Sequence, residues 1–243
     1  MGDYLGGAWN DGNAAFTDLG NSRFASYSGG VTAARVLGPH SWAADLGGSF
    51  IGGGTLGCNW QPVGSPYVLG VEGEGGLIQL RGQAFDPVTV QGTGQTTPDV
   101  LGRAKVGDWS AMITGRLGYA WDRYLLYVKG GAAFVPIGAS VLDQCNTTAT
   151  GCGNWLISTS GNTNATTWTV GGGLEWAFAP SWSVKGEYMF IDLGAGNGFT
   201  TCASAVAPSG NAVRGGPFCF NHTFGSIHTT KIGLNYRFGT TSY

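Results

Sequence analysis

Glu72 and Glu74 stand two residues apart, a spacing that places both carboxylates on one face of a strand. Paired carboxylates can share acid and base work at a substrate, but neighbouring Arg and Lys residues account for these two as ion-pair partners. Gly52-Gly53-Gly54-Thr55-Leu56-Gly57 satisfies GxGxxG to the letter. It lies inside an alternating pattern with no helix after it, so the dinucleotide reading fails. His40, His222 and His228 are scattered, without the spacing of a structural metal site and without a Ser and acid arranged for nucleophilic attack. No catalytic residue, metal or cofactor is therefore expected.

The remaining chemistry is that of the cysteines. Cys145 with Cys152, and Cys202 with Cys219, each fall inside one polar stretch and are predicted to form disulfides. Such pairs point to an oxidising compartment. Closing loops this short stabilises a fold by about 2–4 kcal/mol at most and mainly sets loop shape. Cys58 stands alone in a strand pattern and is expected to act as a small apolar residue; a contact with a neighbouring copy, or lipid attachment, is the alternative.

The totals narrow the class. Nothing resembling a linker divides the 243 residues, so a single domain over 1–243 is expected. Forty-five glycines suggest low complexity, but the 12% of aromatic residues rules out a disordered chain. Charged residues are only 11%, about half the usual share, where a soluble surface would carry more. A net charge of -2 leaves no basic field for nucleic acid. No apolar run reaches the roughly 18 residues of a membrane-spanning helix. Met1-Gly2-Asp3 lacks the basic start and apolar core of a signal peptide, so the chain is expected to be the mature form of an exported protein with an added Met.

Period-two alternation recurs along the chain. In Thr229 to Phe238, predicted as the closing strand, Thr230, Ile232, Leu234, Tyr236 and Phe238 share one face, and Lys231, Gly233, Asn235 and Arg237 the other. Similar patterns run from Asp3, Phe50, Tyr67, Trp109, Tyr124, Trp168 and Trp182, about eight strands in all. Short turns at Gln61 to Pro66, Asp122-Arg123 and Ala179-Pro180-Ser181 alternate with long polar stretches at Asp11 to Asp45, Asp86 to Asp108, Asp143 to Asn164 and Gly194 to Asn221.

The aromatics decide which way the oily face points. At the short turns sit Trp60, Tyr67, Tyr119, Trp121, Tyr124, Trp176, Phe178, Trp182, Tyr236 and Phe238; at the far ends sit Phe50, Trp109, Phe134, Trp168 and Phe190. Two aromatic rows roughly 8–12 positions apart match a tilted strand crossing the hydrocarbon layer. The fold expected is all-β: a transmembrane antiparallel up-and-down barrel with short periplasmic turns and long extracellular loops, in the bacterial outer membrane.

The opposite parity collects Glu72, Glu74, Arg116, Lys129, Glu175, Lys185, Glu187, Lys231 and Arg237. About eight strands enclose a lumen just wide enough to be filled by side chains, and charges there must pair or carry a desolvation cost of several kcal/mol each. A salt-bridged plug is the expected arrangement, and a narrow ion path is the alternative.

Lys231-Ile232-Gly233-Leu234-Asn235-Tyr236-Arg237-Phe238 resembles the terminal assembly signal of outer-membrane barrels, with Lys231, Gly233, Tyr236 and Phe238 at its defining positions. GRLGYAWDRYLLYVKGGAAF, TWTVGGGLEW and WSVKGEYMFIDLG resemble the small OmpA-like, porin-family surface proteins of alphaproteobacteria. The resemblance covers about Phe50 to Phe238 and departs from the pattern at Cys58 and in the tail Gly239 to Tyr243. It implies envelope structure and surface presentation without enzymatic activity. The alternatives are a small porin, haem binding by the loops, and a lattice or homo-oligomer. The partners it implies are membrane lipid, lipopolysaccharide and the outer-membrane assembly machinery.

Overall fold

The computed structural model describes residues 1–19, 40–87, 100–144, 156–194, 196–204 and 217–238. Its strands are β1 (Gly2–Asn10), β2 (Ala14–Asp18), β3 (His40–Ala44), β4 (Gly48–Trp60), β5 (Tyr67–Leu77), β6 (Gln79–Phe85), β7 (Val100–Gly107), β8 (Ser110–Trp121), β9 (Tyr124–Gln144), β10 (Leu156–Ala179), β11 (Trp182–Ile191), β12 (Phe199–Ala203), β13 (Phe218–Thr223) and β14 (Ile227–Tyr236). Eight of them, β1, β4, β5, β8, β9, β10, β11 and β14, form an antiparallel ring that closes where β10 pairs with β9. This is the barrel expected from the alternation. Its last strand runs Ile227–Tyr236 instead of Thr229–Phe238, two residues higher on the wall.

The polar stretches correct the sequence reading, because each of them carries strand. Asp143 to Asn164 reads as a loop from its composition, yet β9 and β10 stay paired from Leu156↔Gln144 down to Trp176↔Tyr124. The outward positions there include Ser158, Ser160, Asn162 and Asn164, whose polarity masks the pattern, while Ile157 and Thr159 are buried on the inner side. Asp86 to Asp108 contains β7, which pairs with β6 and β9. Asp11 to Asp45 contains β2 and β3, and Gly194 to Asn221 contains β12 and most of β13.

These six short strands lie at the end of the barrel opposite the short turns. β6 and β7 extend the wall beside the upper half of β9. The strands β12-β13-β2-β3 form a second sheet, which packs on the inner side of that extension. Phe16, Trp42, Leu80, Val100, Val106, Val141, Ile157 and Phe220 are the buried apolar contacts between them. The wall changes partner at one hinge: β8 gives way to β7 between Ala111↔Phe134 and Val106↔Ile137. There Gly107 and Asp108 adopt φ of 104° and 106°, and the Asp108 N–H donates to the Ile78 carbonyl at 2.9 Å. A Cβ on Gly107 would lie 1.9 Å from that same carbonyl, so no other residue fits.

Cys202 and Cys219 face each other across β12 and β13 and are bonded. Cys145 and Cys152 lie outside the described residues. Reduction of Cys202–Cys219, which closes a separation of 17 residues, is expected to remove about 3 kcal/mol from the second sheet. Limited proteolysis should then cut near β12 and β13 while the barrel keeps its heat-modifiable gel migration.

His222 of β13 is buried in the same sheet, with Phe16 and Phe199 at 5.6 and 5.1 Å and its Nε2 2.7 Å from the Thr201 hydroxyl. Burial pushes the imidazole down from 6.5 to about 4. The folded ring therefore resists protonation, so the stability it carries is complete above pH ~6.5 and declines as pH falls towards ~4, by about 3 kcal/mol in all. Acidification through that window should raise hydrogen exchange in β12 and β13, and His222→Phe should flatten the dependence.

Candidate functional site

The barrel interior is built in two layers. The lower layer holds four acids, Glu72, Glu74, Glu175 and Glu187, and four bases, Arg116, Lys129, Lys185 and Lys231, all buried. Each projects inward by the period-two rule, from β5, β8, β9, β10, β11 or β14. Glu72 accepts from Arg116 Nη2 at 2.6 Å, Lys129 Nζ at 2.7 Å and Lys185 Nζ at 3.4 Å. Since β5 and β11 lie opposite one another in the ring, the Lys185–Glu72 pair crosses the lumen. Glu74 takes Lys231 at 2.5 Å and Lys129 at 3.5 Å, while Glu187 takes Lys129 at 2.8 Å and Lys231 at 3.1 Å. Arg116 also reaches Glu175 at 3.4 Å, and the Ser183 hydroxyl donates to the same carboxylate.

Oxygens of Glu72, Glu74 and Glu187 come within 4.8 Å of one another, close enough for a shared cation. The Lys129 ammonium already fills that role, with one proton to offer each carboxylate. Two tyrosines complete the layer. The Tyr127 hydroxyl donates to Glu187 at 2.9 Å and its ring lies 4.1 Å from the Arg116 guanidinium; the Tyr4 ring lies 4.9 Å from Lys231 Nζ. Lumen glycines make room for these rings, since a Cβ on Gly76 would sit 2.2 Å from the Tyr4 hydroxyl and one on Gly173 2.7 Å from that of Tyr127.

Arg237, on the same parity, falls past the end of β14, half-buried, with its N–H donating to the Ser181 carbonyl. The buried layer thus balances four against four, where the sequence suggested four against five. The upper layer was not anticipated. Ile51, Met112, Val135, Ile137, Met189, Ile191 and Ile227 fill the lumen above the charges, all buried and apolar. Its trace in the sequence is the nearly unbroken apolar run Ala132 to Ile137, where both faces of one strand turn oily.

Outside, the periplasmic aromatic row is exposed at Trp60, Tyr67, Tyr119, Trp121, Tyr124, Trp176, Phe178, Trp182 and Phe238, and half-buried at Tyr236. Its rings touch in series, Tyr67–Tyr119 at 5.7 Å, Trp121–Tyr124 at 5.8 Å and Trp182–Tyr236 at 4.9 Å. In the outer row Phe50 is 95% exposed and Trp168 packs 5.3 Å from Phe190. That row has two members the sequence reading missed, Trp9 and His228, stacked at 5.7 Å. Extending the closing strand by two residues would have placed His228 there. It is tied to Tyr188 at 2.5 Å and to Asp11 at 2.9 Å. Cys58 is exposed on the outer face, opposite Val71.

A closed antiparallel ring with an apolar, aromatic-banded exterior and an ion-paired interior defines a β-barrel protein of the bacterial outer membrane. The chain belongs to the outer membrane protein beta-barrel domain family, whose model matches residues 2–238. It is 28% identical over 195 residues to the 31 kDa outer-membrane immunogenic protein of Brucella melitensis biotype 1, an alignment covering 79% of this chain and 67% of that one. The same figures hold for the protein of that name from Brucella suis biovar 1. Crystal structures overlay more loosely. Ail of Yersinia pestis gives a TM-score of 0.37 at 12% identity, and the protease OmpT from Escherichia coli 0.41 at 9%, each spanning 98% of this chain and 97% of the other. Likeness of that degree carries no argument about function.

Removing Lys129 leaves three buried carboxylates short of their shared cation. Lys129→Ala is expected to cost about 3–5 kcal/mol, read as a lower urea midpoint by tryptophan fluorescence in lipid vesicles. Arg123→Ala, at an exposed periplasmic turn, should leave the midpoint in place.

Proposed function

We propose that the protein is a non-enzymatic component of the outer-membrane wall, with a lumen blocked by side chains and an extracellular extension that presents surface to the outside. The observation that carries this reading is the pair of stacked layers in the lumen. A polar solute would have to break ion pairs that join Glu72 and Glu187 across the barrel, then cross an apolar layer in which Ile137, Met189 and Ile227 have no exposed surface. Each acid of the lower layer is matched by a base, which leaves no carboxylate poised for acid–base work. The surface role is supported by the name of the Brucella relatives, outer-membrane immunogenic proteins. Lys231, Gly233, Tyr236 and Phe238 would be the signal through which the assembly machinery takes up the closing strand.

Conductance of refolded protein in a planar bilayer tests the reading, with Glu74→Ala and Arg116→Ala variants alongside. The folded wild type should be silent. Discrete current steps in the wild type, altered by either substitution, would make the lumen a path and the protein a small porin.

A further inference from the structure

Nine of the twelve lysines and arginines lie in the described residues. Four are buried in the lumen, and Arg123 and Arg237 stand at the periplasmic end. The remaining three, Arg81, Arg103 and Lys105, share one exposed face at the opposite end. Arg81 and Lys105 are register partners across β6 and β7, and Arg103 is opposite Gln83, two residues along. We propose that Arg81, Arg103 and Lys105 form a binding site for the phosphate groups of an outer-leaflet lipid of the lipopolysaccharide type.

The position of the face favours a lipid. On β9 the outward residues climb from Phe134, in the outer aromatic row, through Pro136 to Gly138, which pairs with Lys105. Gly138 has no side chain, and the Lys105 stem lies across it; a Cβ there would meet Lys105 Cε at 3.2 Å. Four residues at roughly 3.3 Å each, on a strand tilted by about 40°, set the cations ~10 Å above the aromatic ring. This is the height of the headgroups, and long basic side chains reach down into that zone. The face is continuous with the lipid-facing wall, whereas the opposite face of β6 and β7 is covered by the second sheet.

The cations are also held in place. Asp108 accepts from Lys105 Nζ at 2.9 Å and lies 3.6 Å from Arg81 Nη2, while Arg103 Nε donates to Gln83 at 3.4 Å. The hydrogen bond and charge of Lys105, joined by Arg81, hold the Asp108 carboxyl below its usual range. Asp108 keeps this post despite a φ of 106°, rare for any residue but glycine. One acid against three bases leaves a net positive face, and two of the bases can grip phosphate through paired N–H donors. The site is independent of whether the lumen conducts.

Native mass spectrometry of the detergent-solubilised protein with diphosphorylated lipid A, and with the same lipid dephosphorylated, would test the site. At about 1 kcal/mol per cation, the triple variant Arg81→Glu, Arg103→Glu, Lys105→Glu should bind the phosphorylated lipid at least ~100-fold more weakly and lose the preference for phosphate. Arg123→Glu should bind like the wild type. If the triple variant does not fold, as judged by heat-modifiable migration, Arg103→Gln should still weaken binding several-fold. Unchanged binding by a folded variant would overturn the proposal. Equal wild-type affinity for inorganic phosphate or a soluble sulfated oligosaccharide would overturn it too, by placing the ligand outside the membrane.

Discussion

Hydrocarbon offers nothing to hydrogen-bond with, so a strand crossing it must have a partner on both sides. That constraint is met at a single seam, the ladder between β9 and β10, which joins the two ends of an otherwise open sheet. The seam is also the longest pairing in the molecule, running from the periplasmic girdle at Trp176↔Tyr124 to the extracellular tip at Leu156↔Gln144. Closing with eight strands then sets the radius, and at that radius the interior holds side chains and little else. The contents of the lumen follow from closure.

Charges buried in so narrow a space are costly unless neutralised. Strands that lie far apart in the chain are joined here by carboxylate and ammonium: β5 to β9 through Glu72 and Lys129, β11 to β14 through Glu187 and Lys231. An apolar filling would pack as well in many registers, whereas these pairs form in only one. A slip of one residue on any of the six strands that carry these charges would turn its lumen charge out into lipid and its outward apolar residues inward. The ion pairs can thus define register even where their net contribution to stability is small. The apolar layer above them keeps water from the upper side and lowers the dielectric in which they act.

Lipid contact imposes a simple chemical rule, and what obeyed it was legible. The parity of Leu, Ile, Trp and Tyr along β5, β8, β11 and β14 identified the wall, its two edges and the inward charges. Three features escaped because they answer to other neighbours. β9 and β10 continue beyond the membrane, where the outer face meets water and Ser158, Ser160 and Asn162 read as loop. Val135, Ile137, Met189 and Ile191 seal the lumen against the second sheet and so break the polar parity. The pairing of particular acids and bases depends on how strands stagger around the ring, which no local pattern encodes. Arg237 shows the limit of parity, since it has the right phase but lies one residue past the strand.

Above the hinge at Ile78 and Gly107-Asp108 the molecule answers to different physics. Below it, side-chain identity is restricted from both sides, by lipid outside and by a balanced charge layer within. Above it, the second sheet has its own apolar contacts, from Phe16 and Trp42 to Phe220, and its own covalent tie at Cys202–Cys219. Its main contacts with the wall run through the inner faces of β6, β7 and β10, at points such as Gly102 against Phe16 and Gly161 against Thr201. Changes on the outward positions of this extension leave the lumen untouched. The membrane-spanning wall and the extension above it are thus fixed by separate sets of contacts, and the backbone hinge at Gly107-Asp108 divides them.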